Sequence, residues 1–192
     1  MPINPVNTQL SKKDLCFLDT ETTGSIFGYH EIIEIGAVRT SADGTRILAE
    51  WHRKIAPQNP DRISDFARKL TGYNSHSWND AHDPNKGLWL EFVEVVTDCV
   101  PVCHNPSFDR AFITLAAQAY ELRDLKLDYH WIGTESLGWP LYKSGLLPKL
   151  SLADLCSYLG VKGEPTPHTA LEGAHACQRV YVALMNRLAA VA

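Results

Sequence analysis

Two carboxylates at the end of an apolar segment are the clearest sign of chemistry in this sequence. Asp19 and Glu21 stand two residues apart in FLDTETTG, residues 17–24, at the end of a short apolar run typical of a buried strand. Side chains two apart on a strand point to the same face. Two buried acids side by side are unfavourable unless a cation lies between them, and hard oxygen ligands favour Mg²⁺ or Mn²⁺. A structural alternative, in which the acids cap a turn beside the neighbouring threonines, stays open at this point.

A third acid lies in HNPSFD, residues 104–109, where a predicted strand gives way to a predicted helix. Asp109 falls in the first turn of that helix, and Asn105 lies one helical turn before it. The helix dipole favours an acid in the first turn of any helix. Taken alone, Asp109 is therefore explained equally well by capping and by a functional role.

A histidine begins the segment HTALEGA, residues 168–174, where a proline-flanked loop enters the last predicted helix. A histidine with a pKa near neutrality can serve as a general base, which is the functional interpretation of His168. A lone surface histidine is more often inert, and this alternative also stays open on the residues alone.

These residues lie on elements that together predict an α/β domain. The sequence predicts five strands, at residues 14–19, 31–40, about 45–55, 99–103 and about 129–134. It predicts five helices, at about 61–70, 87–98, 106–122, 151–159 and 169–190, with Gly72 and Ser151 as candidate caps. This order predicts one mixed five-stranded sheet flanked by helices, with three antiparallel or mixed strands first and parallel strands after them. We expect a single domain over residues 1–192.

Composition excludes several classes of protein. With 45% hydrophobic and 21% charged residues, the chain is neither disordered, collagen-like nor a coiled coil. Its formal net charge of −4 gives no overall attraction to nucleic acid, although bound divalent ions would reverse the field locally. The sequence contains no apolar run of about 18 residues, and its five cysteines form no CxxC pair. We therefore expect a cytoplasmic protein with reduced, mostly buried thiols.

Together the three segments resemble the DnaQ-like 3′–5′ exonucleases with the DEDDh motif set, the family of polymerase proofreading subunits. Asp19 and Glu21 match the family's D-x-E strand, residues 104–109 match HNxxFD, and residues 168–174 match HxAxxDA in part. Weaker matches occur at residues 32–38, 54–57, 70–74 and 152–161. The resemblance thus covers about residues 14–190, with the motifs in the family's order.

The resemblance implies an RNase H-like fold and two divalent metal ions, Mg²⁺ or Mn²⁺. It implies a metal-dependent phosphodiesterase that releases 5′-mononucleotides from the 3′ end of single-stranded DNA or RNA. It makes Asp19, Glu21 and Asp109 catalytic metal ligands and His168 the general base. It implies substrate contacts through Thr22, Thr23, Gly24, His104, Asn105 and Phe108. Such contacts need only phosphate binding and stacking, so base identity matters little. A polymerase or another protein is the implied partner.

The sequence departs from the family pattern at one position, because Gly173 stands where the fourth metal-binding Asp belongs. The neighbouring acid, Glu172, is rotated by about 100° around the helix and is the candidate substitute ligand. Two hypotheses follow, an active exonuclease and a catalytically impaired protein that keeps the fold and binds nucleic acid or a protein partner. An oligoribonuclease-like enzyme that clears very short RNAs shares the same acids and stays open as a third.

Overall fold

A five-stranded mixed sheet organises the computed structural model, which describes residues 9–190. The strand order is β3-β2-β1-β4-β5, and β1 therefore lies in the middle of the sheet. The first three strands pair antiparallel, and β4 and β5 add in parallel on the other side of β1. The predicted mixed sheet is confirmed, and its strands are β1 (Leu15–Thr22), β2 (Ile32–Thr40), β3 (Ile47–Lys54), β4 (Val100–Cys103) and β5 (Ile132–Gly133).

Helices cover both faces of this sheet. They are α1 (Asp65–Thr71), α2 (Lys86–Val96), α3 (Pro106–Ala119), α4 (Thr134–Lys143), α5 (Leu152–Leu159) and α6 (Ala170–Ala189), with 3₁₀ turns at Leu10–Lys12 and Pro60–Arg62. Both predicted caps are confirmed. Ser151 accepts a hydrogen bond from the Asp154 amide at the start of α5. Gly72 ends α1 in the left-handed conformation with φ 68°, which favours glycine.

The two faces of β1 pack on different helices. Leu15 and Phe17 pack against α6 residues such as Cys177. Cys16 and Leu18, on the opposite face, belong to the core formed with α2 and α3. Because side chains alternate along the strand, the acids that follow at odd positions continue on the α6 face. The end of β1 is therefore placed between α6 on one side and α3 on the other.

The structure differs from the predictions in four elements. The helix α4 was not predicted, because Gly138 and Pro140 are poor residues for a helix interior. Close packing explains it, since a Cβ at Gly138 would lie 2.8 Å from Leu155 Cδ2 of α5. The predicted strand at 129–134 is reduced to two residues, and the helix predicted at 61–70 is a 3₁₀ turn followed by α1. A proline in the predicted strand 99–103 predicts a sheet edge or a bulge there. Pro101 instead lies in β4 between β1 and β5, and pairing with β5 begins one residue later, at Val102.

All five cysteines are buried and unpaired, as expected. Within residues 9–190, no helix is both long and apolar enough to cross a membrane.

Candidate active site

The predicted motif residues meet in a cleft of about 580 Å³ at the C-terminal end of β1. This volume lies within the range of about 300–1,000 Å³ that is usual for ligand sites. Three separate segments supply the chemistry: β1, the first turn of α3 and the loop before α6. Of the predicted site residues, those that line the cleft are Asp19, Glu21, Thr22, Gly24, His104, Asn105, Phe108, Asp109 and His168.

The two acids of β1 project into this cleft without a protein partner. Glu21 is only 6% exposed, and neither the Asp19 nor the Glu21 side chain has a hydrogen bond or ion pair with the residues the structure describes. Burial, followed by the charge of Glu34, raises the pKa of Glu21 to about 8. Burial, followed by the charges of Asp109 and Glu21, raises the pKa of Asp19 well above its usual range. Carboxylates this close ionise together only when a cation compensates them.

Asp109 reaches the same place from α3. Its side chain is almost completely buried, and its Oδ1 accepts a hydrogen bond of 2.8 Å from the Thr20 hydroxyl. Burial raises the pKa of Asp109 to about 7, and the Thr20 bond opposes this rise by favouring the ionised form. Asp109 thus ties the start of α3 to the central strand as well as presenting a carboxylate to the cleft.

His168 lies on the loop that leads into α6. Its backbone amide donates a hydrogen bond of 2.9 Å to the Leu70 carbonyl oxygen, which fixes the loop against the end of α1. The side chain is 32% exposed, and its Nδ1 lies 3.6 Å from Oε1 of Glu164. The imidazole therefore faces the cleft while remaining accessible to solvent, a suitable position for a group that exchanges protons.

Two residues predicted to contact substrate, Thr23 and His104, make hydrogen bonds within the protein. Thr23 is fully buried; its amide donates to the Glu31 carbonyl oxygen, and its hydroxyl accepts from the Glu31 amide. His104 lines the cleft, but its Nε2 donates to the Leu150 carbonyl oxygen at 2.9 Å and its Nδ1 pairs with Thr134 Oγ1 at 3.0 Å. Burial lowers the pKa of His104, which agrees with a neutral ring that accepts from Thr134. The structure thus gives both residues positioning contacts within the fold.

The position of the missing acid faces Asp19 directly. A Cβ built on Gly173 would overlap Asp19 Oδ2 and would lie 2.7 Å from Asp19 Cγ. A carboxylate at position 173 would thus have stood beside Asp19, as the motif comparison indicates.

The structure does not bring Glu172 to the acids of the cleft. Its Oε2 lies 3.1 Å from Lys162 Nζ and 3.7 Å from Arg179 Nη2, which hold the carboxylate at the protein surface. The hydrogen bond from Lys162 lowers the pKa of Glu172. Glu172 lies away from the cleft because it is rotated around the helix relative to position 173, which turns its side chain toward Lys162 and Arg179.

Sequence reasoning missed two acids, one that lines the cleft and one that lies opposite Glu21 on β2. Glu164, on the loop before His168, lines it, and one ligand atom from each of Glu21, Glu164 and His168 lies within 4.8 Å of the others. Glu34 of β2 is fully buried; its Oε1 lies 2.7 Å from His52 Nε2 and accepts a hydrogen bond from the Ala170 amide at the start of α6. Glu164 lies outside the three family motifs, and Glu34 lies within the apolar pattern of a predicted strand, so neither was identified from the sequence.

The donor set of the cleft fits a hard divalent cation. Carboxylate oxygens from β1, α3 and the loop before α6 converge there, and Mg²⁺ and Mn²⁺ prefer such ligands. The nearly complete burial of the unpartnered Glu21 side chain points the same way, because a buried, ionised carboxylate needs a compensating charge.

A sequence model of the RNase_T family, described as an exonuclease, matches residues 16–181, most of the chain. The chain belongs to this exonuclease family. The predicted resemblance to DnaQ-like DEDDh exonucleases is thereby confirmed.

Relatives of this chain include DNA polymerases of bacteria. The DNA polymerase III PolC-type of Caldanaerobacter subterraneus subsp. tengcongensis is 32% identical over 170 residues, which is 88% of this chain and 11% of that protein. The corresponding protein of Thermotoga maritima is 30% identical over 171 residues, 89% of this chain and 12% of that protein. The chain therefore spans about a tenth of the length of these curated relatives.

Solved exonuclease structures share the fold. Exonuclease I of E. coli in complex with a dT13 oligonucleotide superimposes with a TM-score of 0.76 at 14% identity, covering 94% of this chain and 42% of that one. The nuclease domain of 3′hExo, a DEDDh family member bound to rAMP, gives 0.66 at 21% identity and covers 92% and 93%. These matches confirm the RNase H-like fold.

Proposed function

We propose that this chain is a 3′–5′ exonuclease that hydrolyses the terminal phosphodiester bond of single-stranded DNA or RNA and releases 5′-mononucleotides. The observation that carries the proposal is the meeting of Asp19, Glu21, Asp109 and His168 in one cleft, from parts of the chain far apart in sequence. The 3′–5′ polarity rests on the family resemblance, and the single-stranded substrate on that resemblance and the oligonucleotide-bound neighbour.

The residues of the cleft have separate roles in the proposed reaction. Asp19, Glu21 and Asp109 would hold two divalent ions, and such ions would supply charge stabilisation for the attacking and leaving oxygens of the phosphodiester. His168 takes the proton from the attacking water, for which its partly exposed imidazole is suitably placed. The hydrogen bond from the Thr20 hydroxyl favours the ionised form of Asp109.

The cleft also offers apolar surface to the terminal bases. Phe66 of α1 is 75% exposed and Ile26 is 59% exposed, and both line the cleft, as does Phe108. Exposed aromatic side chains stack on any base, because every base has a π-face. We therefore infer a substrate held by stacking and phosphate contacts, without base selectivity.

End-labelled oligonucleotides test this function. With Mg²⁺ or Mn²⁺, a 5′-labelled single strand, as DNA and as RNA, should give a ladder that shortens from the 3′ end. A 3′-labelled strand should lose its label as a mononucleotide in the first step. Asp19→Asn should abolish both results, whereas Glu94→Gln, which removes one negative charge from an exposed position on α2, should digest normally. Internal cutting or shortening from the 5′ end would contradict the proposal.

A second candidate function is favoured by Gly173 alone. A chain without the fourth acid at that position is compatible with an exonuclease fold that binds nucleic acid, or a protein partner such as a DNA polymerase, without cutting. Wild-type protein that is folded and binds oligonucleotide, yet digests neither DNA nor RNA with either metal, would support this candidate over the first.

A further inference from the structure

The gap left by the family's missing carboxylate is filled by another residue. A Cβ built on Gly173 would lie 2.8 Å from Glu164 Oε1, as well as against the Asp19 carboxyl group. The Glu164 carboxylate therefore reaches the space that a side chain at position 173 would enter. We propose that Glu164 replaces the missing acid and is a ligand of the divalent cation that Asp19 and Glu21 hold. This inference rests on the proposed metal-dependent function.

The loop that carries Glu164 is held on both sides of it. Arg179 of α6 donates a hydrogen bond of 2.8 Å from Nε to the Lys162 carbonyl oxygen, two residues before Glu164. The amide of His168, four residues after it, donates to the Leu70 carbonyl oxygen. The Glu164 side chain is 13% exposed and lies in the cleft between these two attachments. Its position is thus set by packing, as a ligand position needs to be.

No close ion pair compensates Glu164. His168 Nδ1 lies 3.6 Å from its Oε1, and the charge of Arg179 acts from beyond ion-pair distance, whereas the acids Asp19 and Glu21 stand beside it. The Glu21 side chain is only 6% exposed. It points into the cleft and has no protein partner among residues 9–190. A third carboxylate added to two unpartnered ones is destabilising by itself and favourable around a hard cation.

The substitution is chemically conservative although the two positions are nine residues apart. An aspartate at position 173 would present its oxygens from α6, across the cleft from β1. The longer glutamate side chain reaches the same space from the neighbouring loop. Glycine at position 173 suits this arrangement, because even a Cβ there would overlap the two carboxyl groups.

Direct measurement of Mn²⁺ binding without nucleic acid tests the inference apart from catalysis. Titrations followed by the electron paramagnetic resonance of free Mn²⁺ would compare wild type with Glu164→Gln, Glu172→Gln and Glu94→Gln, each checked for folding by circular dichroism. We expect Glu164→Gln to weaken the tighter Mn²⁺ site by at least about tenfold, since even residues behind the ligands change metal affinity by about 10–100-fold. Glu94→Gln, the charge-matched control, should bind within about twofold of wild type.

A swap of the two positions provides the positive test. Glu164→Ala should lose the tighter Mn²⁺ site, and Glu164→Ala combined with Gly173→Asp should regain it to within a few-fold of wild type. Glu164→Ala removes one of the two carboxyl groups that the Cβ of the new aspartate would overlap, and the Asp19 carboxyl group has to shift to accommodate the rest of the side chain.

Three outcomes would overturn the inference. They are wild-type Mn²⁺ affinity in Glu164→Gln, loss of affinity in Glu172→Gln but not in Glu164→Gln, and a folded swap variant no better than Glu164→Ala. If the first outcome comes with a change in the pH–rate profile of Glu164→Gln, Glu164 is a partner of His168 instead of a metal ligand. Wild-type protein that binds no Mn²⁺ would refute the proposed metal-dependent function itself, a result distinct from all of these.

Discussion

The Thr20 hydroxyl donates a 2.8 Å hydrogen bond to Asp109 Oδ1, although the two residues are 89 positions apart and lie on different elements. Thr20 follows Asp19 on β1 and therefore points to the opposite face, toward α3. This bond connects the two halves of the acid cluster. It also favours the ionised form of Asp109, against the effect of burial.

Thr20→Val removes the hydroxyl and keeps the shape of the side chain. A hydrogen bond to a charged group contributes about 1.5–3 kcal/mol, so we expect kcat/KM on an oligonucleotide to fall by about tenfold or more at neutral pH. The acid limb of the pH–rate profile should move to higher pH, because the pKa of Asp109 rises without the donor. Thr20→Ser, which keeps the hydroxyl, is the matched control. A Thr20→Val profile that superimposes on wild type would show that the bond has no catalytic role.

Stability should depend on pH in a way that bound metal removes. The pKa values of about 8 for Glu21 and about 7 for Asp109 lie above those of the unfolded chain, so the folded protein takes up protons. The stability that these groups contribute is fully present below about pH 4 and is lost as the pH rises through the folded values. With chelator, Tm should therefore decrease between about pH 5 and 8. Millimolar Mn²⁺ should raise Tm most at the high end of that range, since metal binds the deprotonated ligands.

Melting curves across this pH range, with chelator and with Mn²⁺, provide the measurement. Glu21→Gln should flatten the pH dependence in chelator, because it removes one of the two titrating groups. A metal-free Tm that stays constant or rises between pH 5 and 8 would contradict the assignment of raised pKa values to these acids.

Gly173→Ala should damage the site more than it damages the fold. The added Cβ overlaps the Asp19 carboxyl group and lies 2.8 Å from Glu164 Oε1, so both carboxylates have to move. We expect kcat to fall by at least about tenfold, as small displacements in an active site cost up to about 100-fold. The matched control is Gly163→Ala, whose Cβ would lie at an ordinary 3.6 Å from Cys156 Cβ. Equal activity of the two alanine variants would show that the space at position 173 is not restricted.

His168→Asn should separate proton transfer from binding. Removal of a general base lowers kcat by about 10²–10⁴-fold, and we expect a loss in this range with oligonucleotide affinity within a few-fold of wild type. Single-turnover digestion together with fluorescence anisotropy of a labelled strand measures both quantities. If digestion remains near the wild-type rate, or if anisotropy shows that binding accounts for the whole loss, His168 is not the base.

Much of the fold follows from local patterns in the sequence. The apolar runs that become β1 and β2, the cap at Ser151 and the left-handed Gly72 are all readable from neighbouring residues, because strand alternation and capping are local effects. The helix α4 could not be predicted from local sequence, because its glycine and proline oppose helix formation. Packing against α5 outweighs this effect in the folded chain.

The candidate site, like the fold, has features that the sequence shows and features that depend on tertiary contacts. The sequence by itself determined that Asp19 and Glu21 share a face of one strand, and it identified the exonuclease family through segments whose order and spacing are visible without a structure. Those features depend on residues close together in the chain, or on the number of residues between the segments.

Contacts between distant segments determined the rest. The bond from Thr20 to Asp109, the internal hydrogen bonds of Thr23 and His104, and the cations that hold Glu172 away from the cleft all depend on how the helices pack. The meeting of Glu164 with the space above Gly173 is of this kind too, because a loop can bring a side chain to any place that packing leaves open. No spacing rule relates a loop glutamate to a helix position nine residues later, so the sequence motif shows a missing acid where the folded chain presents another.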